Sequence, residues 1–134
     1  MKNIWAIIPA YNEALTLETL LQEIKKMIPN IVVVSDGSTD ATVEIAKKAG
    51  VTVLNHIIKL GKGAALKTGC EYAIRQGATH LVTLDGDAQH NPKEIPRFIE
   101  NLKKYDVVFG SRRLNYPMPL LLYRIRNDYK SKKK

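Results

Sequence analysis

The sequence predicts a single α/β fold in which a mostly parallel sheet carries helices on both faces. Three observations lead to that expectation. Short, largely apolar runs at residues 4–8, 31–34, 51–54, 80–84 and 107–109 alternate with longer stretches whose apolar residues recur at helical spacing. Several of these runs are β-branched without polar interruption, as in strands buried on both sides, and strand–helix alternation is the mark of parallel crossovers. Finally, 134 residues of 45% hydrophobic content suffice for one core.

The first strand is expected over residues 4–8, with Pro9 stopping it for want of an amide donor. Asn12 is placed to cap a helix along which Leu15, Leu20, Leu21, Ile24 and Ile28 recur, and Pro29 ends it. After the second strand, 31–34, a loop at 35–38 leads to Asp40 as the cap of a helix through Ala49, with Gly50 in the stop position. The third strand, 51–54, is followed by the turn Leu60-Gly61-Lys62-Gly63 and a helix to about Arg75. The fourth strand, 80–84, runs into Asp85-Gly86-Asp87; Asn91-Pro92 opens a helix closing at Lys104 or Tyr105. Residues 107–109 are expected to be the last strand.

Charge is distributed unevenly. Of the net +8, residues 112–134 hold eight basic side chains and one acid, Asp128, so the first 111 residues are nearly neutral. The domain is therefore set at 1–113 and a basic, amphipathic tail at 114–134. A neutral body argues against nucleic acid as partner, while Tyr116, Leu120–Leu122, Tyr123 and Ile125 interleaved with Arg124 and Arg126 suit an anionic membrane surface. A solvated terminus is the equal alternative. One cysteine, Cys70, permits no internal disulfide and fits a reducing compartment. No apolar stretch has the length of a signal peptide or of the roughly 18 residues of a spanning helix. The expected location is cytoplasmic, peripheral to a membrane if the tail binds one.

Ligands of parallel sheets bind beyond the carboxyl ends of the strands. Those ends are followed here by residues 9–13, 35–38, 59–63, 85–89 and 110–113, which hold most of the unusual polar groups. Asp85-Gly86-Asp87-Ala88-Gln89 is the sharpest signal. Two close carboxylates repel unless a hard divalent cation such as Mg²⁺ or Mn²⁺ lies between them. Asp-Gly-Asp is also a common turn, with Asp87 or Asn91 capping the next helix, but its position at a strand end favours the metal. Asp36 can accept from a base or from ribose hydroxyls, an Asx turn being the competing explanation. Lys62 could meet a diphosphate, although the Gly61-Lys62 spacing is not that of a phosphate-binding Walker loop and an exposed loop lysine is the favoured reading. Cys70, His56 and His80 read as structural residues, and His90 adjoins the acidic cluster.

Taken in order, Ile8-Pro9-Ala10-Tyr11-Asn12-Glu13, Val32 through Asp40, Gly61-Lys62-Gly63-Ala64-Ala65, Asp85 through Pro92 and Gly110-Ser111-Arg112 resemble glycosyltransferase family 2. The likeness is greatest to dolichyl-phosphate mannose synthase and related polyprenyl-phosphate glycosyltransferases. The resemblance implies a GT-A fold, a UDP- or GDP-sugar as donor, Mg²⁺ or Mn²⁺ as cofactor, and a polyprenyl phosphate or a sugar as acceptor. By position Pro9, Tyr11 and Glu13 would hold the base together with Val34 and Asp36. Asp85, Gly86 and Asp87 would line the diphosphate and sugar, and Asp85, Asp87 and Gln89 would hold the metal. Asp87 and Arg112 would be the catalytic pair, Arg112 reaching the donor. Ser35 departs from the Asp-Asp-Gly-Ser often found in the family, while Asp36 keeps its second aspartate. The family's catalytic domain continues well beyond Arg112, so the chain reads as its donor-binding half. Two alternatives stay open: a nucleotide-sugar-binding module without strong activity, and a nucleotidyltransferase, which would be expected to carry a Gly-rich basic loop where residues 9–13 stand.

Overall fold

A computed structural model describes residues 3–86, 92–105, 107–110 and 120–124, the last two segments as backbone strands. In chain order the elements are β1 (Ile4–Ala10), α1 (Leu17–Lys25), β2 (Asn30–Ser35), α2 (Thr42–Lys48), β3 (Thr52–Asn55), α3 (Lys62–Arg75) and β4 (His80–Thr83). A 3₁₀ turn (Pro92–Glu94), α4 (Ile95–Leu102), β5 (Val107–Gly110) and β6 (Leu120–Arg124) follow. The six strands form one sheet in the order β3-β2-β1-β4-β6-β5. β1 pairs in parallel with β2 and β4, and β2 with β3. β6 runs antiparallel to both β4 and β5, so five strands share one direction.

β1 and β2 are apolar on both faces because both faces are covered. Ala6, Ile8, Ala10, Ile31, Val33 and Val82 pack with Leu17, Leu20, Leu21 and Ile24 of α1, Ala46 of α2 and Ile95 and Leu102 of α4. Ile7, Val32, Val34 and Leu81 point the other way, onto Ala65 and Ala73 of α3. Alternate residues of one strand thus feed two cores, the period-2 rule applied to a two-sided sheet. Cys70 packs against the α3-side core, as the sequence suggests. Trp5 meets Tyr72 edge-on there, with ring centroids 6.0 Å apart.

Three expectations are corrected. Pro9 does not end β1, which pairs through Pro9↔Val34 to Ala10↔Ser35. The carbonyl of Ile7 accepts from Leu84 N–H on the β4 side, and the β1–β4 register stops at Ile7↔Thr83. Pro9, two residues on, directs its missing donor to that same side, past the last pair, where no ladder bond is lost. Asn12 does not cap α1, which starts after Thr16; Asn12 adopts φ 53°, and Leu15 ahead of the helix is fully exposed. Lastly, residues 107–109 are not the last strand. Leu120–Arg124, assigned from sequence to the basic tail, is an interior strand whose backbone is paired on both sides.

The chain order reverses at β1: it proceeds outward to β2 and β3, then returns to lay β4 on the other flank. A crevice opens at such a switch point, beyond the carboxyl ends.

Candidate functional site

Four loops meet over that crevice, and hydrogen bonds join them in pairs. After β1, Asn12 N–H donates to Ser38 Oγ (3.1 Å), Glu13 N–H to Thr42 Oγ1 (3.0 Å) and Ala14 N–H to Asp40 Oδ2 (3.2 Å). In return, Asn12 Oδ1 accepts from the N–H groups of Thr39 (2.8 Å) and Asp40 (3.3 Å). The left-handed backbone of Asn12, tolerated by this residue type, turns its side chain onto the neighbouring loop. Asp40 Oδ1 also accepts from the N–H of Thr42 (2.9 Å) and from its hydroxyl. Burial pushes the Asp40 carboxyl up, but the bonds from Thr42 and from Ala14 N–H outweigh it and hold the group below its ordinary range. Thr16 Oγ1 then donates to the carbonyl of Gly86 (2.6 Å), tying this segment to the loop after β4.

Asp36, the residue after β2, is 3% exposed and gathers the β3–α3 loop around itself. Oδ1 accepts from Leu60 N–H (2.9 Å) and His56 Nδ1–H (2.9 Å), and Oδ2 accepts from Gly61 N–H (2.8 Å). His56 Nε2 meets Thr68 Oγ1 of α3 at 2.8 Å. Burial again raises the carboxyl; the bonds from Leu60, His56 and Gly61, together with the charge interaction with His56, override it and lower the pKa. Gly37, at φ 74°, brings the backbone so close to the same loop that a Cβ would stand 2.8 Å from Lys59 N. His56 is thus structural, as its sequence context suggests, with the particular task of linking Asp36 to α3.

The resulting cleft, about 250 Å³, is lined by Pro9, Ala10, Tyr11, Glu13, Asp36, Lys59, Lys62, Ala65, Asp85 and Gly86. Lys62, the first residue of α3, places Nζ 2.5 Å from Asp85 Oδ1, and Lys59 Nζ stands 3.8 Å over the centre of the Tyr11 ring. A Cβ at Gly86 would lie 3.2 Å from Glu13 Cγ, so a side chain there would press on the cleft wall. Six of the residues singled out from sequence, Pro9, Tyr11, Glu13, Asp36, Asp85 and Gly86, therefore share one cavity. Val34 is fully buried in the α3-side core and its side chain does not line the cleft. Asp87, Gln89, His90 and Arg112 lie outside the described residues. Lys62, read from sequence as an exposed loop lysine, is exposed, but it opens α3 and pairs with Asp85 on the cleft wall. Its place after a strand's carboxyl end was the available signal, whereas nothing in the sequence marked Lys59 or His56 as neighbours of Tyr11 and Asp36. Among the described residues no three His, Cys, Asp or Glu side chains gather as a metal cage. Asp85 supplies a hard carboxylate of the kind Mg²⁺ or Mn²⁺ takes, at present facing the Lys62 ammonium.

A profile described as Glycosyl transferase family 2 matches residues 5–134. The chain belongs to that family. An uncharacterized protein of Methanocaldococcus jannaschii is 41% identical over 115 residues, covering 84% of this chain and 47% of that protein. Undecaprenyl-phosphate mannosyltransferase of Micrococcus luteus is 34% identical over 118 residues, covering 83% of this chain and 49% of its own length. The chain thus spans about half the length of the curated relatives it matches. Among solved structures, Mycobacterium tuberculosis glucosyl-3-phosphoglycerate synthase, crystallised with Mn²⁺, uridine diphosphate and glucosyl-3-phosphoglycerate, superposes with a TM-score of 0.68 at 23% identity. That match covers 84% of this chain and 44% of the other. The GT-A fold implied by the sequence motifs is the fold found. No helix among the described residues is long and apolar enough to cross a membrane.

Proposed function

We propose that residues 1–113 carry the donor-binding part of a metal-dependent, inverting glycosyltransferase that moves a sugar from a UDP- or GDP-sugar to an acceptor, with polyprenyl phosphate as the preferred acceptor class. The observation that supports this most is the convergence, at one switch-point cleft, of Tyr11 and Glu13 after β1, Asp36 after β2, and Asp85 and Gly86 after β4. Its volume, below the roughly 300–1,000 Å³ of drug-sized sites, suits part of a donor. In this reading Asp36 and Tyr11 take the base, while Lys62 meets the diphosphate as a compact point charge.

Asp85, with Asp87 and Gln89 following it in sequence, would hold Mg²⁺ or Mn²⁺, which when bound supplies charge neutralisation to the leaving diphosphate. Lys62 adds positive charge at the cleft, and Arg112 would add more in the role its motif position implies, stabilising the negative charge that develops as the glycosidic bond breaks. Asp87 and Arg112 keep the catalytic roles that their motif positions imply. A polyprenyl phosphate is already anionic and attacks the anomeric carbon from the face opposite the leaving group without needing its proton removed; a sugar hydroxyl would need a carboxylate base. The lipid acceptor is favoured by the printed name of the Micrococcus luteus relative, an undecaprenyl-phosphate enzyme. It brings the protein to the periphery of a membrane, and the basic residues of 114–134, which begin at Arg124 and continue beyond β6 in sequence, are the segment we assign to an anionic surface.

Calorimetry with UDP- and GDP-sugars, each with and without Mn²⁺, tests the donor reading. Metal-dependent binding of at least one is expected, and no metal-dependent binding to any of them would falsify it.

A further inference from the structure

We infer that the β3–α3 loop is a lipid-contacting element: Ile57, Ile58 and Leu60 enter the surface of an anionic bilayer, while Lys59 and Lys67 stay among its headgroups. The choice of a lipid as partner rests in part on the polyprenyl-phosphate reading above; the exposed patch itself does not. Ile57 is 98% exposed, Ile58 65% and Leu60 57%. Single apolar side chains are common on protein surfaces, but three within four residues make a patch, and such patches mark interaction sites.

The fold holds these side chains outside. Leu60 N–H and Gly61 N–H donate to the buried Asp36 carboxylate at 2.9 and 2.8 Å, and His56 N–H donates to the Ser35 carbonyl oxygen at 2.8 Å. Gly37 stands against the backbone of Ile58 and Lys59 with no room for a Cβ. With its backbone bonded inward, the loop keeps its apolar groups on the outer side. A patch fixed in this way loses little freedom when it is covered.

Composition favours lipid over protein. No acidic residue occurs between Glu44 and Glu71, whereas Lys59, Lys62 and Lys67 all do. Of the acids at the cleft, Asp36 is buried beneath the loop and Asp85 faces Lys62. Protein-binding patches are depleted of lysine at their centre and anchored by Trp, Tyr or Arg, but here a lysine stands amid aliphatic side chains. A bilayer accepts that mixture: the aliphatic groups reach the acyl boundary, lysine stems lie along apolar surface with their ammonium groups in the headgroup layer, and anionic lipids attract the charge.

Lys59 and Lys62 also line the cleft, so the loop forms part of its rim. Leu15, wholly exposed after β1, follows a carboxyl end on the same edge of the parallel strands. With Ile57 and Ile58 in the bilayer surface, the cleft opens at headgroup level, where the phosphate of a lipid-linked acceptor lies.

The test uses the full chain with vesicles of phosphatidylcholine and phosphatidylglycerol, without donor or acceptor. Ile57→Ser/Ile58→Ser should weaken vesicle partitioning at least about tenfold, with an unchanged circular dichroism spectrum. Ile57→Trp should give a blue-shifted emission that brominated lipids quench, whereas Trp5 of the unaltered chain, packed against Tyr72, should be quenched far less. No partitioning, or partitioning that survives the double substitution with no quenching at position 57, overturns the loop's role and leaves residues 114–134 as the membrane contact. Self-association of the unaltered chain in sedimentation velocity, abolished by the double substitution and without quenching, overturns it in favour of a second copy. Donor calorimetry is read separately, so binding of a nucleotide sugar by a chain that does not insert would leave the donor reading intact.

Discussion

Asp36→Asn replaces a carboxylate that accepts from three donors by an amide that accepts on one atom only. The better of its two orientations keeps the oxygen where Leu60 N–H and His56 Nδ1–H point and sets the NH₂ group against Gly61 N–H, now 2.8 Å from an atom that cannot accept. One charge-assisted hydrogen bond is lost and one buried donor is orphaned, for a cost of about 2–4 kcal/mol near pH 7. Whole domains are stable by roughly 5–15 kcal/mol, so the loss is large enough to measure. The effect also depends on pH. Because the Asp36 carboxyl is held below its ordinary value of 3.8, its stabilisation is complete above that pH and is lost as pH falls through the lowered folded-state value. The wild-type-minus-variant difference should therefore be constant from pH 7 down to about pH 4 and narrow below it. Asp40, lowered in the same direction, remains in both proteins, so an acid limb persists in each. Urea titrations followed by the fluorescence of the single tryptophan, Trp5, provide the measurement. A difference under about 0.5 kcal/mol at pH 7, or one that does not narrow in acid, would refute the reasoning.

Gly69→Ala sets two effects against each other: about 1 kcal/mol of helix propensity gained, and a Cβ that would fall 2.5 Å from Ile7 Cγ2 and 3.0 Å from Val34 Cγ2. Both contacts are fully buried sheet side chains, so overpacking of about 1–3 kcal/mol should win and lower the melting temperature; a stabilised variant would show that α3 can lift off the sheet. Lys62→Ala should change stability by less than about 1 kcal/mol, since its pair with Asp85 is largely solvent-exposed, yet weaken nucleoside diphosphate binding about tenfold. Equal affinities in calorimetry would remove Lys62 from the donor site. Asp85→Asn should abolish any Mn²⁺-dependent, EDTA-sensitive increment in binding while leaving the circular dichroism spectrum unchanged; an EDTA-sensitive increment that survives in the variant would place the metal elsewhere.

The sheet was legible in the sequence because its information is local. Five apolar runs, each bounded by Gly, Pro or an acidic turn, correspond to β1–β5 with shifts of one or two residues, and Gly50 and Gly77 stand past their helices at positive φ, as their positions suggest. Given parallel strands, the carboxyl-end rule alone gathered Pro9, Tyr11, Glu13, Asp36, Asp85 and Gly86 onto one edge, and the structure encloses them in one cleft. β6 escaped because Leu120–Arg124 sits in a basic surrounding that reads as a tail; its place comes from pairing with β4, a partner distant along the chain, as well as with its neighbour β5.

What tertiary structure alone decided is who faces whom. Asn12 has the chemistry of a helix cap, yet its side chain is claimed by Thr39 and Asp40, 27 and 28 residues away. Lys62 has the look of a solvated loop residue, yet it opens α3 and its Nζ meets Asp85 in the loop after β4. The sequence by itself determined that an aspartate would stand at the end of the second strand on the ligand-binding edge. How many of that aspartate's acceptor positions remain open depends on His56, Leu60 and Gly61, 20 to 25 residues further on. No local pattern encodes that number, because hydrogen-bond saturation is a property of the packed state.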